Sequence, residues 1–350
     1  MIVKCHHGVS HATMCKEYRK NGDRLISHNA ALSYDVIKVK DKLEHAQEKY
    51  SKHSCVKCVE LNHYRYVTEI PNDPDYKNQY GLTKIKANLA WNITKGREAS
   101  IIAIVDTGVQ RSHPDLKDKL RTGYNFVSNN KDTNDDNGHG THVAGIAAAI
   151  TNNRIGVAGT APRNRILPVK AFDNNGMATT HNIVQGILYA ADQGARVINM
   201  SFGAGAYSSV EADACAYALK KGCVLVAAAG NSGSSKRFYP AGYSGVISVA
   251  ATDVNNNKAS FSNYGKWVTV AAPGVNILST YPDSTYSSLS GTSMAAPFVS
   301  GLAGLLAKKY RTNRRISKLI KGSADSIKGT GSFWKYGLIN AKKAVQTAAG

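Results

Sequence analysis

The chain reads as an α/β protein with buried, mostly parallel strands, preceded by a smaller α+β unit. Three observations predict this. Two apolar runs, Ile101-Ile102-Ala103-Ile104-Val105 and Val224-Leu225-Val226-Ala227-Ala228-Ala229, have the length of strands covered on both faces. Each ends near a polar residue, Asp106 or Asn231, and in α/β sheets the carboxyl ends of strands are where sites assemble. Helix-like stretches rich in Ala and Gly follow His139 and Ser293, and small residues let a helix pack closely on a sheet. At 350 residues the chain exceeds one average domain and can bury a large core.

The front unit is read element by element. Ile2-Val3-Lys4-Cys5 suits a short strand, and Val9 to Asn21 a helix that stops at Asn21-Gly22. Val36-Ile37-Lys38-Val39-Lys40 alternates as a strand does. Asp41 opens a helix through His53, with Leu43, Ala46 and Tyr50 on one stripe, and Cys55 to Asn62 forms a last strand. A β-α-β-α-β order of this length predicts a compact, ferredoxin-like α+β unit.

The larger part carries the chemistry. Asp106 closes the first buried strand; alone, it is an Asx turn. Asp106-Thr107-Gly108 is also an aspartic-protease signature, but that chemistry needs two carboxylates sharing a proton, and no second such motif exists. His139 lies in Asn137-Gly138-His139-Gly140-Thr141-His142, where glycines permit an imidazole in a crowded site. His139 and His142 lack the further ligands a zinc site needs, and no HExxH pattern is present. Ser293, in Gly291-Thr292-Ser293-Met294-Ala295, stands at a helix start; alone it would be a cap, but there free N–H groups and the helix dipole stabilise an oxyanion. Asn231, alone a turn residue, is in this company the expected second oxyanion donor beside the Ser293 N–H. The order Asp106, His139, Ser293 is that of subtilisin. Gly-Thr-Ser-Met-Ala lacks the last glycine of a G-x-S-x-G elbow, which disfavours an α/β-hydrolase.

On these motifs, with Ala228-Ala229-Gly230-Asn231, the chain resembles the subtilisin-like serine proteases, and the thermitase branch in particular. The branch is carried by Pro71-Asn72-Asp73-Pro74, Ala190-Ala191-Asp192-Gln193-Gly194-Ala195 and Ala259-Ser260-Phe261-Ser262-Asn263-Tyr264-Gly265. After the nucleophile the family commonly has Thr-Pro-His where this chain has Ala296-Pro297-Phe298, a change in packing. The resemblance implies a three-layer fold with a mostly parallel central sheet. It also implies an endopeptidase working through an Asp106-His139-Ser293 triad and an acyl-enzyme. Substrate is expected to add as a strand beside Asn175-Gly176-Met177 and Ser201-Phe202-Gly203. An uncharged S1 wall that includes Ala228 and Gly230 implies broad cleavage with apolar or aromatic P1 residues.

Residues 1–67 then correspond to a propeptide, acting as folding chaperone and inhibitor, and 68–350 to the catalytic domain. Its tail, about Asn62 to Val67, would lie in the active site, with maturation near Tyr66 to Thr68. A permanent accessory domain is the plainer alternative. The resemblance also implies a Ca²⁺ site at Asp73, Asp115, Asn153 and the carbonyls of Ile150, Ile155 and Val157, a hard oxygen set. A second calcium loop maps onto Asn125 to Asn134, where Asn125, Ser128 and Asn130 replace expected carboxylates and leave Asp132.

Composition narrows the partners. Net charge is +20, with a basic cluster at Lys308, Lys309, Arg311, Arg314, Arg315, Lys318 and Lys321. No aromatic-basic platform accompanies it, so a solvated helix face is expected rather than a specific nucleic-acid site. No stretch approaches the length of a membrane span, and no signal peptide is read at Met1. Secretion follows from the resemblance; a cytoplasmic enzyme is the alternative, which free cysteines favour. Cys55-x-x-Cys58 has no second such pair, and strand alternation points its cysteines to opposite faces, so packing is expected. Protein and peptide substrates, its own propeptide as inhibitor and a monomeric state complete the expectations. A pseudoprotease or a basic binding scaffold are the competing classes, and no triad residue is replaced.

Overall fold

The computed structural model of the protein describes residues 1–63, 70–307 and 312–349. The anticipated maturation segment and Lys308, Lys309 and Arg311 of the basic cluster lie outside them. The chain divides into two compact units, Met1–Val67 and Thr68–Gly350.

In the first unit, β1 (Ile2–Cys5), α1 (His11–Lys20), β2 (Arg24–Asn29), β3 (Tyr34–Lys38), α2 (Leu43–Ser51) and β4 (Val56–Glu60) follow in order. The sheet is antiparallel with strand order β2-β3-β1-β4. The expected β-α-β-α-β order is therefore corrected to β-α-β-β-α-β. The missing strand, β2, is an edge with no buried residue, so it lacks the apolar alternation that marks a strand in sequence. Val3, Met14, Tyr18, Ile37, Ala46 and Tyr50 form the core; of the anticipated helical stripe Ala46 and Tyr50 are buried, while Leu43, the first residue of α2, is exposed.

The second unit opens with α3 (Tyr80–Lys84) and α4 (Ala87–Trp91). Then come β5 (Ile101–Asp106), β6 (Tyr124–Asn125), α5 (His139–Ala148), β7 (Arg165–Lys170), α6 (Thr180–Asp192), β8 (Val197–Met200), α7 (Ser209–Lys220) and β9 (Val224–Ala228). The unit ends with β10 (Ile247–Thr252), β11 (Val270–Pro273), the hairpin β12 (Ile277–Tyr281) and β13 (Thr285–Leu289), α8 (Thr292–Leu306), α9 (Asn313–Ser323) and α10 (Ala341–Ala349). Seven strands pair in the order β11-β10-β9-β8-β5-β7-β6, and every pairing is parallel.

Strand alternation divides the core into two layers. Ile102 and Ile104 of β5 meet α5 and α8 through Val143, Ile146, Leu302 and Leu305. Ala103 and Val105 point the other way, toward Ile187 and Ala190 of α6 and Ala218 of α7. Helix α8 runs through the interior, with all its residues buried except Ser293. Close approach explains its small residues: a Cβ on Gly301 would lie 2.4 Å from Thr160 Cβ. In α9, Ile316 and Ile320 are buried while Arg314, Arg315 and Lys318 are not, as a solvated basic face requires. No described helix is long and apolar enough to cross a membrane.

Candidate active site

The three candidate catalytic residues each stand at the end of an element. Asp106 is the last residue of β5, His139 the first of α5, and Ser293 lies in the first turn of α8. His139 Nδ1 is 2.7 Å from Asp106 Oδ1, which also accepts the Thr107 N–H at 2.8 Å. Asp106 Oδ2 is buried and has no hydrogen-bond partner among the described residues. Burial alone would lower the His139 pKa. The Asp106 charge and hydrogen bond, with Asp135 beyond, outweigh that and hold it above the ordinary 6.5. The contact fixes the tautomer with the proton on Nδ1 and leaves Nε2 as the base.

Ser293 is held by a reciprocal pair. Its Oγ donates to the Ser201 carbonyl at 2.9 Å, and Ser201 Oγ donates to the Ser293 carbonyl at 2.9 Å. The second bond exists because of Pro297: a proline has no N–H to give the carbonyl four residues earlier, so the Ser293 carbonyl is free of the helix ladder. Ser201 is itself fixed by Asn199 Nδ2 at 2.9 Å, and Asn199 Oδ1 by Ser300 Oγ at 2.8 Å. A chain of polar groups thus runs from the middle of α8, across β8, to the nucleophile.

Asn231 follows the end of β9. Its Oδ1 accepts both the N–H and the hydroxyl of Thr292, each at 2.9 Å, so its Nδ2 must face the other way. That nitrogen would lie 3.4 Å, and the Ser293 N–H nitrogen 3.6 Å, from a Cβ built on Gly291. Both nitrogens therefore flank Gly291. Gly230 is required at its place: its φ is +100°, and a Cβ there would meet Asn263 Nδ2 at 2.4 Å.

The sequence did not reveal the support beneath His139. Asp135, buried, accepts from Thr107 Oγ1, the N–H groups of Asn137, Gly138 and Thr141, and Thr141 Oγ1, at 2.6 to 3.1 Å. Thr107 Oγ1 in turn accepts the Gly140 N–H at 3.0 Å. One carboxylate thereby ties the residue after Asp106 to both sides of His139. A carboxylate four residues before the histidine is the only trace of this in the sequence.

The two expected substrate segments differ. Phe202 and Gly203 continue from β8, and no described hydrogen bond uses their backbone, so an edge is open for a strand. Asn175-Gly176-Met177 instead closes a turn on Asp173. Its carboxylate accepts the Asn175 and Met177 N–H groups, its carbonyl accepts from Gly176, and its N–H donates to Met177. Those donors are occupied, although Met177 offers an exposed side chain. Ala228 and Gly230 are buried and uncharged where β9 ends. His142 is a packing group: its Nε2 donates to the Ser287 carbonyl at 2.9 Å, and burial pushes its pKa down to about 4.

Asp73, Asp115 and Asn153 come together as expected for a cation site. Asn153 Nδ2 reaches Asp115 Oδ1 at 2.7 Å, while Asp73 accepts the Asn152 and Asn153 N–H groups and Asp115 accepts that of Val157. The Ile150 N–H donates to the Asp115 carbonyl and the Ile155 N–H to Asn153 Oδ1, so the loop wraps the pair. Both carboxylates are buried, burial raises both pKa values, and neither has a lysine or arginine partner among the described residues. Asp115 Oδ2 also accepts the Tyr286 hydroxyl at 2.9 Å, and two buried carboxylates that have hydrogen-bond donors but no cationic side chain suit a divalent cation such as Ca²⁺. In the 125–134 loop Asn125 Oδ1 accepts the Val127 and Ser128 N–H groups, Asn130 Oδ1 that of Asp132 and Asp132 Oδ1 that of Asn134, and Asp132 is the one carboxylate of the set.

This geometry agrees with the relationships of the chain. Residues 97–338 match the subtilase family, peptidase S8. The chain belongs to that family. It is 55% identical over 277 residues to thermitase of Thermoactinomyces vulgaris, covering 79% of this chain and 99% of that one. A thermophilic serine proteinase of Bacillus sp. (strain AK1) is 45% identical over 348 residues, 99% of this chain and 86% of its own. Among solved structures, a protease of Pseudoalteromonas arctica PAMC 21717 superposes with a TM-score of 0.75 at 32% identity, covering 80% of this subtilase and 100% of that chain. The chain is a serine endopeptidase of the subtilase family.

Proposed function

We propose that this subtilase cleaves peptide bonds through Asp106, His139 and Ser293, with Asn231 and the Ser293 N–H as oxyanion donors. The observation that supports the reading is the 2.7 Å contact of His139 Nδ1 with Asp106 Oδ1, together with the Asn231 amide and Ser293 nitrogens flanking Gly291. Ser293 Oγ turns from the Ser201 carbonyl to His139 Nε2, gives up its proton there and attacks the scissile carbonyl carbon. The oxyanion takes both N–H donors. His139 returns the proton to the leaving amine, and water, activated the same way, frees the acyl group from Ser293. Asp106 stays ionised and stabilises the imidazolium.

Substrate pairs with the open backbone at Phe202 and Gly203, so affinity comes from main-chain hydrogen bonds and little sequence is demanded. With uncharged Ala228 and Gly230 at the end of β9, P1 is apolar or aromatic. Asp73, Asp115, Asn153 and the carbonyls of Ile150, Ile155 and Val157 hold Ca²⁺, which neutralises the two buried carboxylates. Residues 1–67 act as a self-inhibiting propeptide removed by the enzyme itself, and the mature protease is secreted. A relative matched along 99% of this chain, beside thermitase matched over 277 residues that span nearly all of it, supports a removable N-terminal unit.

Labelling with a sulfonyl fluoride tests the triad. One adduct on Ser293, absent in His139→Ala, is expected; equal labelling of the variant, or an adduct elsewhere, contradicts the assignment.

A further inference from the structure

The first unit carries a cluster that proteolysis does not use. His11 begins α1, His28 lies on β2 and Asp35 on β3, where His28 and Asp35 are register partners. Nδ1 of His28 is 2.7 Å and Nδ1 of His11 is 3.2 Å from the same atom, Asp35 Oδ1. One ligand atom from each residue lies within 4.8 Å of those of the other two. The two imidazole rings lie with centroids 3.8 Å apart, tilted by 34° to one another.

Two imidazoles and one buried carboxylate thus crowd their donor atoms around one point. A divalent ion resolves the arrangement: it takes lone pairs from both neutral rings and neutralises Asp35, which is only 2% exposed. Size also fits. Zinc bonds of about 2.0–2.2 Å to N and O give a tetrahedral ligand-to-ligand edge of roughly 3.3–3.5 Å. The His11–Asp35 edge of 3.2 Å is already close to that, and the His28–Asp35 edge of 2.7 Å must open by a fraction of an ångström.

The outer partners are in place as well. His11 Nε2 is 3.2 Å from Cys15 Sγ, one helical turn along α1, and Asp35 Oδ2 accepts the Tyr18 hydroxyl at 2.9 Å. Partners of this kind orient metal-bound imidazole and carboxylate groups. Cys15, His11 and Tyr18 share one face of α1, so a single helix presents a ligand and both supporting groups.

We propose that His11, His28 and Asp35 form a Zn²⁺ site through His11 Nδ1, His28 Nδ1 and Asp35 Oδ1, with the fourth position open to water. Two nitrogens and one carboxylate oxygen suit zinc and not calcium, which takes six to eight oxygens. The ion clamps α1 to the β2–β3 edge, so zinc raises the stability of this unit.

The test uses the full-length chain carrying Ser293→Ala, with saturating Ca²⁺, titrated with ZnCl₂ by calorimetry. We expect one zinc per chain, an affinity loss of at least about 100-fold in His11→Ala and in His28→Ala, and a loss of about 10-fold in Cys15→Ala. Cobalt substitution should give the visible bands of a tetrahedral N/O site that disappear in His28→Ala. His28 is on an exposed edge strand, and circular dichroism verifies that each variant is folded. No zinc uptake, undiminished uptake in both histidine variants, or loss that instead follows Cys55→Ser or Cys58→Ser would overturn the site.

Discussion

Replacing Asn231 with Ala is the sharpest perturbation of the proposed oxyanion site, because its consequences separate by atom. Nδ2 is one of two donors at the site, and removal of one such donor, as measured in subtilisin, costs about 10²–10³ in kcat, or roughly 2.7–4 kcal/mol. The oxyanion exists only in the transition state, so KM should move little. Oδ1 has a different role: it accepts twice from Thr292, and its removal leaves a buried N–H and a hydroxyl hydrogen without their acceptor. That costs about 1–3 kcal/mol of stability, read as a lower Tm. Thr292→Val keeps Nδ2 but deletes one of the bonds aiming it, along with the acceptor for the Gly230 N–H at 3.0 Å. We expect a kcat loss nearer 10-fold there, and a double variant no worse than Asn231→Ala, since a donor already absent cannot be misaimed. Peptide-anilide hydrolysis, normalised by active-site titration, provides the assay. A kcat loss under about threefold in Asn231→Ala, or a loss confined to KM, refutes the reasoning.

Other expectations follow from the same site. Because His139 is held above 6.5 and acts only when neutral, the acid limb of kcat/KM should lie above that value, activity being lost as pH falls through it. In Asp106→Asn, kcat should fall about 10⁴-fold, and an acid limb left in place would contradict the role of the carboxylate. Chelation should lower the Tm of the processed enzyme, since calcium at 100 times its Kd contributes about 2.7 kcal/mol. Asp115→Ala should abolish that calcium-dependent increment, and a variant Tm that still responds to calcium would place the ion elsewhere. A peptide library should show apolar and aromatic residues at P1, and a strong preference for Arg or Lys would rule out the uncharged wall.

What could be read from the sequence was what is local. The apolar runs of β5 and β9 and the punctuation around Asp106, His139 and Ser293 carry their own signal, because a strand buried on both faces has no polar alternation. What was hidden depends on distant pairs. Asp135 matters through five donors brought together by a loop, Thr292 through its grip on Asn231, and Pro297 through the carbonyl it releases to Ser201. None of these has a spacing that announces it. Strand β2 was missed for the opposite reason, since an exposed edge needs no apolar pattern. In the segment 175–177 Asp173 takes the Asn175 and Met177 N–H groups locally, which the sequence pattern alone does not show.

The central claim is that Ser293 makes this chain a protease that matures itself. Full-length protein incubated with calcium beside Ser293→Ala, followed by intact mass and casein hydrolysis, tests it most directly. The account predicts loss of the segment ahead of Thr68 with rising activity in the wild type, and neither in the variant. An intact, inert wild type, or cleavage that proceeds equally in Ser293→Ala, would contradict it.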